Sequence, residues 1–194
     1  MTNSELKYRA RAALGGSVFG EKWLYAVLTC FIFSAIESVI GGASVGIALL
    51  AVTGPLAMGL DYVFLKQSRV GRKIEIEDLF YGFKHDFLGC FLLSLLKALF
   101  VCLWCILFIV PGIVKAYGWS MIWYVKFDEP GLETKAILDR SAALMEGHKW
   151  ELFMLDLSFI GWYILGALCF GIGVFFVMPY HSAARAEFYR SLSE

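Results

Sequence analysis

Charged side chains are scarce in this chain of 194 residues, where they make up 18% of the sequence. Soluble globular proteins carry about 25%. Residues 38–60, 98–114 and 157–184 contain no Asp, Glu, Lys or Arg at all. Uncharged apolar runs of about 18 or more residues are long enough to cross a bilayer. The lack of charge therefore argues against soluble domains and predicts a single integral membrane domain over residues 1–194.

The motifs of common enzymes and of metal or nucleotide sites are also missing. The chain has no glycine-rich phosphate loop and no H-E-x-x-H pair. Its three histidines, His85, His148 and His181, have no companions at the spacing of metal ligands. We therefore expect no catalytic residue, no metal and no cofactor, and we expect that the protein is not an enzyme. The 17 basic and 17 acidic residues cancel, so no net field favours nucleic acid.

The five cysteines, Cys30, Cys90, Cys102, Cys105 and Cys169, all lie in apolar stretches. An odd number of cysteines in such surroundings argues against a disulfide framework. Cys102 and Cys105 have the spacing of a redox pair, but desolvation in an uncharged run disfavours a thiolate. We predict that all of them are packing residues.

The basic residues fall into four groups, which set the expected topology. Lys and Arg in short loops mark the cytoplasmic side of a membrane. If all four groups are cytoplasmic, each stretch between them is a hairpin that crosses the membrane twice. The sequence then predicts an all-α membrane helix bundle of six spans in the cell membrane, with the N- and C-termini cytoplasmic. The groups are Lys7, Arg9, Arg11 and Lys22; Lys66, Arg69, Arg72, Lys73 and Lys84; Lys126, Lys135, Arg140 and Lys149; and Arg185 and Arg190.

A short pattern of Gly, any residue, Lys and an aromatic ring occurs at residues 20–23, 82–85 and 147–150. Each occurrence leads into an apolar stretch that contains one proline, and these are Pro55, Pro111 and Pro179. The pattern predicts three repeat units, residues 1–67, 68–128 and 129–194. Each unit is expected to hold an interfacial amphipathic helix, a corner, and a hairpin whose returning helix bends at proline. The amphipathic helices are expected within residues 3–14, 74–87 and 132–147.

The middle unit leaves two topologies open. Residues 90–110 contain no glycine or proline, so the turn of this hairpin is expected near residues 100–105 or at Pro111-Gly112. If there is no turn, the stretch is one kinked helix, and the protein has four spans. The four-span alternative places residues 128–149 outside the cell, which puts a basic group on the wrong side of the membrane. Six spans are therefore the favoured prediction.

An ordered series of motifs runs from residue 141 to residue 189. It comprises L-M at 144–145, G-H-K-W-E-L-F at 147–153, D-L-S-F-I-G-W at 156–162, G-I-G at 171–173, P-Y at 179–180 and A-E-F-Y at 186–189. The series resembles the signature of the family called domain of unknown function 975, and the basic N-terminal helix leading into Lys22-Trp23 extends the resemblance over the whole chain. The resemblance implies an integral membrane protein of a kind found mostly in Gram-positive bacteria, with no established activity.

Ionisable side chains within the predicted spans are the first candidates for function, because a charge at mid-bilayer costs about 2.5–3.5 kcal/mol. Besides Glu37 and Lys97, six such groups are expected to meet in the cytoplasmic half of the bundle, five of them on the returning helices and Asp156 on an entering helix. The simpler interpretation is a structural network in which the opposite charges neutralise each other and fix the packing of the helices. The alternative is a site for an anionic solute, a lipid headgroup or a proton. The six residues of this candidate intramembrane polar cluster are Asp61, Lys115, Asp156, His181, Arg185 and Glu187.

Two functions are compatible with these patterns. The favoured one is a non-enzymatic membrane scaffold or accessory component, because the chain has no soluble domain and its cytoplasmic helices would present faces to a partner. The alternative is a small transporter or lipid-handling protein that uses the polar cluster. The expected partners are the lipid bilayer and either another membrane protein or a second copy of the chain in a homo-oligomer, and no nucleic acid.

Overall fold

The structure is a computed structural model that describes residues 3–16, 20–43, 47–71, 74–107, 109–168 and 171–193. This part of the chain is almost entirely helical and contains no strand, which confirms the all-α prediction. One 3-10 helix covers Ile76–Phe80. The α-helices are α1 Asn3–Ala13, α2 Glu21–Ala43, α3 Ile47–Val70, α4 Tyr81–His85, α5 Phe87–Leu107, α6 Ile109–Gly118, α7 Ile122–Asp128, α8 Thr134–Leu144, α9 Lys149–Leu168 and α10 Ile172–Ser193.

Helix α3 lies at the centre of the bundle, in contact with α2, α5, α7 and α10. Its buried side chains include Leu56, Phe64 and Leu65, which are at most 1% exposed. Pro55 lies inside α3 and Pro179 inside α10, as the sequence pattern predicts for the returning helices of the first and third units. The two proline-containing helices contact each other and form the core that the rest of the bundle surrounds.

The middle hairpin turns at neither of the two positions predicted from the sequence. Helix α5 continues to Leu107 and α6 begins at Ile109. The two helices run antiparallel, since the Phe100 and Trp119 rings lie 5.9 Å apart and Lys115 lies 6.0 Å from the Trp104 ring. Pro111 falls in the first turn of α6, where no backbone N–H is required of it. The expected bend at this proline is therefore absent, and the returning segment instead breaks between α6 and α7.

Helices α1 and α8 pack against the rest of the bundle through buried faces. Leu6 and Ala10 of α1 are buried, and α1 contacts α10. Ile137 and Ser141 of α8 are buried, and α8 contacts α6 and α7. The Ser141 hydroxyl also donates a hydrogen bond of 3.0 Å to the carbonyl of Gly118 at the end of α6. These faces are thus covered from within the chain.

Helix α3 approaches the middle unit at glycine positions. A Cβ on Gly59 would overlap the backbone carbonyl of Leu79 in the 3-10 helix. A Cβ on Gly82 of α4 would overlap the backbone of Pro55. Only a residue without a side chain permits such contact between backbones, and Gly59 and Gly82 therefore fix how closely α3 and the middle unit pack.

The three Gly-x-Lys patterns do not occupy equivalent positions in the structure. Gly20 directly precedes α2, and Gly147, with a φ of 81°, lies just before α9. Gly82 is instead inside α4, and the long helix that follows begins only at Phe87. The expected corner of the middle unit was therefore misplaced, because Asp86 rather than Gly82 separates the short helix from the long one.

Two helices in the described part of the chain are long and apolar enough to cross a membrane by length and composition. Their apolar windows are Phe87–Trp104 in α5 and Lys149–Leu168 in α9, with mean hydropathies of 2.2 and 1.5. Only 17% and 22% of these windows is buried within the protein. Large apolar side chains such as Leu99 and Leu165 are consequently exposed.

Of the five cysteines, the structure describes the side chains of three. Cys30 and Cys90 are buried free thiols, and Cys102 is an exposed free thiol. The Cys90 thiol packs 3.1 Å from the sulfur of Met58. The side chains of Cys105 and Cys169 lie outside the described part.

Candidate functional site

Asp156 of α9 is the centre of a hydrogen-bonded group that joins α9 to α10 and α6. Arg185 donates to it twice, from Nε to Oδ1 at 3.0 Å and from Nη2 to Oδ2 at 2.5 Å. His181 Nε2 lies 2.8 Å from Oδ1. The Tyr117 hydroxyl donates to Oδ2 at 3.2 Å. The charge of Arg185 is thus balanced in the two-donor geometry that suits a carboxylate.

The antiparallel packing of α9 and α10 positions these side chains. The backbones of Gly166 and Gly173 touch, since a Cβ on Gly166 would lie 2.8 Å from the carbonyl carbon of Gly173. Further along the pair, the Tyr163 hydroxyl lies 3.1 Å from His181 Nδ1. When the imidazole carries its proton on Nε2 and donates it to Asp156, Nδ1 accepts from Tyr163. Both ring nitrogens of His181 are then used.

A polar cavity of about 440 Å³ lies beside this group. Asp61 of α3, Lys97 of α5 and Arg185 of α10 supply its charged walls. A second cavity of about 320 Å³ shares Lys97 with the first and extends to Glu37 of α2. The remaining residues that line the first cavity are Ala57, Ala116, Tyr117, Ser120 and Trp123.

The cavity offers more hydrogen-bond donors than acceptors. Asp61 accepts a hydrogen bond of 3.2 Å from the buried Tyr124 hydroxyl. Arg185 uses Nε and Nη2 on Asp156, which leaves Nη1 without a hydrogen bond to any described residue. Lys97 forms no salt bridge or hydrogen bond within the described part of the chain. The Asp61 carboxylate is nevertheless close enough to attract the charge of Lys97. The unused donors fit a group that carries several acceptor oxygens, such as a phosphate or carboxylate.

A second polar network joins the basic ends of the returning helices. Arg69 of α3 binds Asp128 of α7 with two hydrogen bonds of 2.6 and 2.7 Å. The Tyr189 hydroxyl of α10 donates to the same carboxylate at 2.7 Å. Arg190 donates to the backbone carbonyl of Ser68 at 2.9 Å. The three returning segments are therefore tied together at one end of the bundle.

Two carboxylates outside the long apolar helices have lowered pKa values. Burial tends to raise the pKa of Asp128, but the hydrogen bonds from Arg69 and Tyr189 outweigh burial and hold it below its ordinary value of 3.8. A hydrogen bond from Lys126 lowers the pKa of Asp86, against a smaller opposing effect of burial. Both groups are thus anions in ion pairs at neutral pH, consistent with a structural role for this end of the bundle.

The structure brings four of the six predicted cluster residues together. Asp156, His181 and Arg185 are in direct contact, and Asp61 faces Arg185 across the cavity. Lys115 lies apart from them, with its ammonium 6.0 and 5.8 Å from the rings of Trp104 and Trp119. Glu187 also lies apart, in the basic-end network with Ser68 and Arg190.

Sequence reasoning missed part of the site. Lys97 is not among the six residues of the predicted cluster, yet it lines both cavities. The tyrosines Tyr117, Tyr124 and Tyr163 were not anticipated, because in a membrane protein tyrosine is also a common packing and interface residue. The described residues contain no group of three His, Cys, Asp or Glu side chains that could hold a metal ion.

Comparison with protein families matches residues 1–118 and 109–194 to the family described as Protein of unknown function (DUF975). The chain belongs to the DUF975 family. Membership confirms the resemblance seen in the motifs between residues 141 and 189, and it extends over the whole chain. Comparison with curated proteins and with solved structures finds no match. Because the DUF975 family has no assigned function, the chemistry of this member must be argued from its own side chains.

Proposed function

We propose that this DUF975 member is an integral membrane protein that binds a ligand group rich in acceptor oxygens in the cavity between Asp61, Lys97 and Arg185. In this proposal the protein is a binding or carrier protein and not an enzyme. The observation that carries it is the cavity of about 440 Å³, in which the Lys97 ammonium and Nη1 of Arg185 have no hydrogen-bond acceptor within the described part of the chain. A ligand that supplies acceptor oxygens to these two cationic donors would form charge-assisted hydrogen bonds there.

The exposed apolar surface supports the location in a membrane. The windows in α5 and α9 are too poorly buried to be core helices of a soluble protein. Exposed apolar patches of this extent mark surfaces that are covered in the functional state. A bilayer covers such surfaces on all sides of the bundle, in keeping with the uncharged runs of the sequence.

The packing order supports three repeat units and six crossings over the four-span alternative. In the second unit, the short helix α4 and the long entering helix α5 both contact α3, which is the returning helix of the first unit. The third unit contacts the returning segment of the second in the same way, since α8 and α9 contact the α6–α7 segment. The first unit contacts the returning helix of the third, since α1 and α2 contact α10. The units would then form a closed ring, with the returning helices inside it.

The basic-end network supports cytoplasmic N- and C-termini. Lys22 donates to the carbonyl of Gly71 at 2.9 Å, and Arg69 binds Asp128. Lys22 and Arg69, from the first two basic groups, thus lie with Arg190 of the last group near one end of the bundle. A shared cytoplasmic location follows from the rule that short basic loops stay inside.

Cysteine labelling tests this topology. Ser4→Cys in α1 and Glu146→Cys after α8 both replace exposed residues. Six crossings place both on the cytoplasmic side, so a membrane-impermeant maleimide will label both in inverted vesicles and neither in intact cells, above the level of the parent chain. Labelling of Glu146→Cys in intact cells would instead establish the four-span topology.

The scaffold function expected from the sequence has less support. It relied on cytoplasmic helices with faces free for a partner, whereas the buried faces of α1 and α8 are used within the chain. The cavity gives the binding function a specific location, which the scaffold function lacks. We therefore propose ligand binding first.

Binding of inorganic phosphate in detergent tests the cavity. Lys97→Met removes a cavity cation, and Lys115→Met is the matched control, because Lys115 lies over Trp104 and Trp119 and does not line the cavity. Phosphate at ten times its Kd stabilises a protein by about 1.4 kcal/mol, which is about 3–6 °C in Tm at this chain length. We expect this shift, followed by tryptophan fluorescence, in the parent and in Lys115→Met but not in Lys97→Met. An equal shift in all three, or no shift in the parent, would refute the proposal.

A further inference from the structure

An apolar cleft of about 400 Å³ lies between α6 and α9 on the outside of the bundle. Its walls are almost wholly apolar, and one basic side chain, Lys149, lies at its rim. Trp150, 68% exposed, and Ile113, 47% exposed, show that the cleft is open to the surroundings. The lining residues are Val110, Ile113, Val114, Tyr117, Lys149, Trp150 and Phe153.

Tyr117 belongs both to this cleft and to the polar cavity. Its ring packs against Phe153 at a centroid distance of 5.9 Å, on the side of the cleft. Its hydroxyl donates to Asp156, whose carboxylate holds Arg185 of the cavity. The side chain of Tyr117 is therefore a wall that the apolar cleft and the polar cavity share.

The helix that forms one wall of the cleft is short. Helix α6 has 10 residues, whereas the other returning helices, α3 and α10, have 24 and 22. A helix of 10 residues is only about 15 Å long. Helix α6 therefore covers only part of the length of α9, which has 20 residues, and the cleft lies along this partial contact.

We propose that the ligand of this protein is a membrane lipid with an anionic headgroup, which enters sideways between α6 and α9. The inference rests on the proposed function and adds the class of ligand to it. The headgroup phosphate lies in the cavity against Lys97 and Arg185, and an acyl chain lies in the α6–α9 cleft beside Tyr117. An apolar cleft next to unused cationic donors matches the two halves of such a molecule, whereas a free anion has no use for the cleft.

The available hydrogen-bond donors select the headgroup. Lys97 and the unused Nη1 of Arg185 can both donate to the terminal oxygens of a phosphate. The phosphate of phosphatidic acid has three terminal oxygens, whereas the choline ester of a zwitterionic lipid leaves only two to accept from the same two residues. Phosphatidic acid is therefore the appropriate probe, and phosphatidylcholine with the same acyl chains is its control.

The test is native mass spectrometry of the full chain released from nanodiscs that contain equal amounts of dioleoylphosphatidic acid and dioleoylphosphatidylcholine. In the parent we expect about tenfold enrichment of retained phosphatidic acid, the factor that one charge-assisted hydrogen bond supplies. Lys97→Met is expected to abolish this enrichment. Ile113→Trp, which fills the cleft, is expected to abolish it as well while leaving the phosphate-induced shift in Tm unchanged.

Leu28→Trp is the matched control for the cleft variant. Leu28 of α2 is 42% exposed, close to the 47% of Ile113, and it does not line the cleft. Enrichment must persist in Leu28→Trp. If Ile113→Trp also keeps the enrichment, the acyl chain does not occupy the cleft and the inference is wrong, while the phosphate shift still supports the cavity. If the parent shows neither enrichment nor a phosphate shift, both proposals fail.

Discussion

Gly59→Ala is expected to lower the stability of the protein by about 3 kcal/mol, the upper end of the cost of overpacking a core. The added Cβ would overlap the carbonyl oxygen of Leu79 and lie 2.5 Å from its carbonyl carbon. Leu79 is fully buried, so the obstacle is a backbone held on all sides and not the end of a flexible side chain. Helix α3 and the 3-10 helix must therefore separate.

Thermal unfolding in detergent measures this effect. A loss of about 3 kcal/mol corresponds to a fall in Tm of about 6–12 °C for a chain of this length. Gly161→Ala in α9 is the control, because a Cβ there has no atom within 4 Å. That substitution is expected to leave Tm unchanged or raise it, since alanine is the better helix former by about 0.5–1 kcal/mol. Equal Tm values for Gly59→Ala and Gly161→Ala would show that α3 has room at this position.

Asp156→Asn is expected to have the second largest effect, about 2–3 kcal/mol of stability. Asparagine keeps the shape of the side chain but removes the charge that balances Arg185. Losing one partner of a buried ion pair costs about 3–5 kcal/mol, and we take a lower value because the Arg185 side chain is 36% exposed. Tyr117 and His181 also lose the charge of their shared acceptor.

A double-mutant cycle separates the free energy of the Asp156–Arg185 ion pair from the stability that is lost when packing alone is damaged. Adding Arg185→Met to Asp156→Asn removes the uncompensated cation, so the double variant is expected to be more stable than Asp156→Asn alone. Glu5→Gln is the control, because the Glu5–Arg9 pair has side chains 47% exposed and such a pair is worth only about 0.2–1 kcal/mol. A double variant whose losses are simply additive would show that Asp156 and Arg185 do not stabilise each other.

The general architecture could be predicted from the distribution of charge. Uncharged runs indicate long apolar helices, and the apolar spacing of α1 and α8 is local information that a single sequence contains. The turn between α5 and α6 could not be predicted, because residues 90–110 carry no glycine or proline to mark it. Its position depends on how Trp119 and Lys115 pack against α5, which is a tertiary property.

The candidate site was predictable only in part, for a similar reason. Asp156 and Arg185 stand out in the sequence because charges within apolar runs are rare. Lys97 and Lys115 stand out equally, yet the first lines the cavity and the second lies over the rings of Trp104 and Trp119. Which of two lysines faces inward depends on the rotation of each helix about its axis, and that rotation is set by its packing partners.

The contact between α1 and α10 has a consequence for biosynthesis. The Tyr180 hydroxyl donates to the carbonyl of Lys7, a residue 173 positions earlier in the chain. A ribosome adds about 5–20 residues per second, so α1 emerges about 9–35 s before the partner that covers Leu6 and Ala10. During that interval this face of α1 has no partner within the chain. The contact between α1 and α10 can therefore form only after nearly the whole chain has been synthesised.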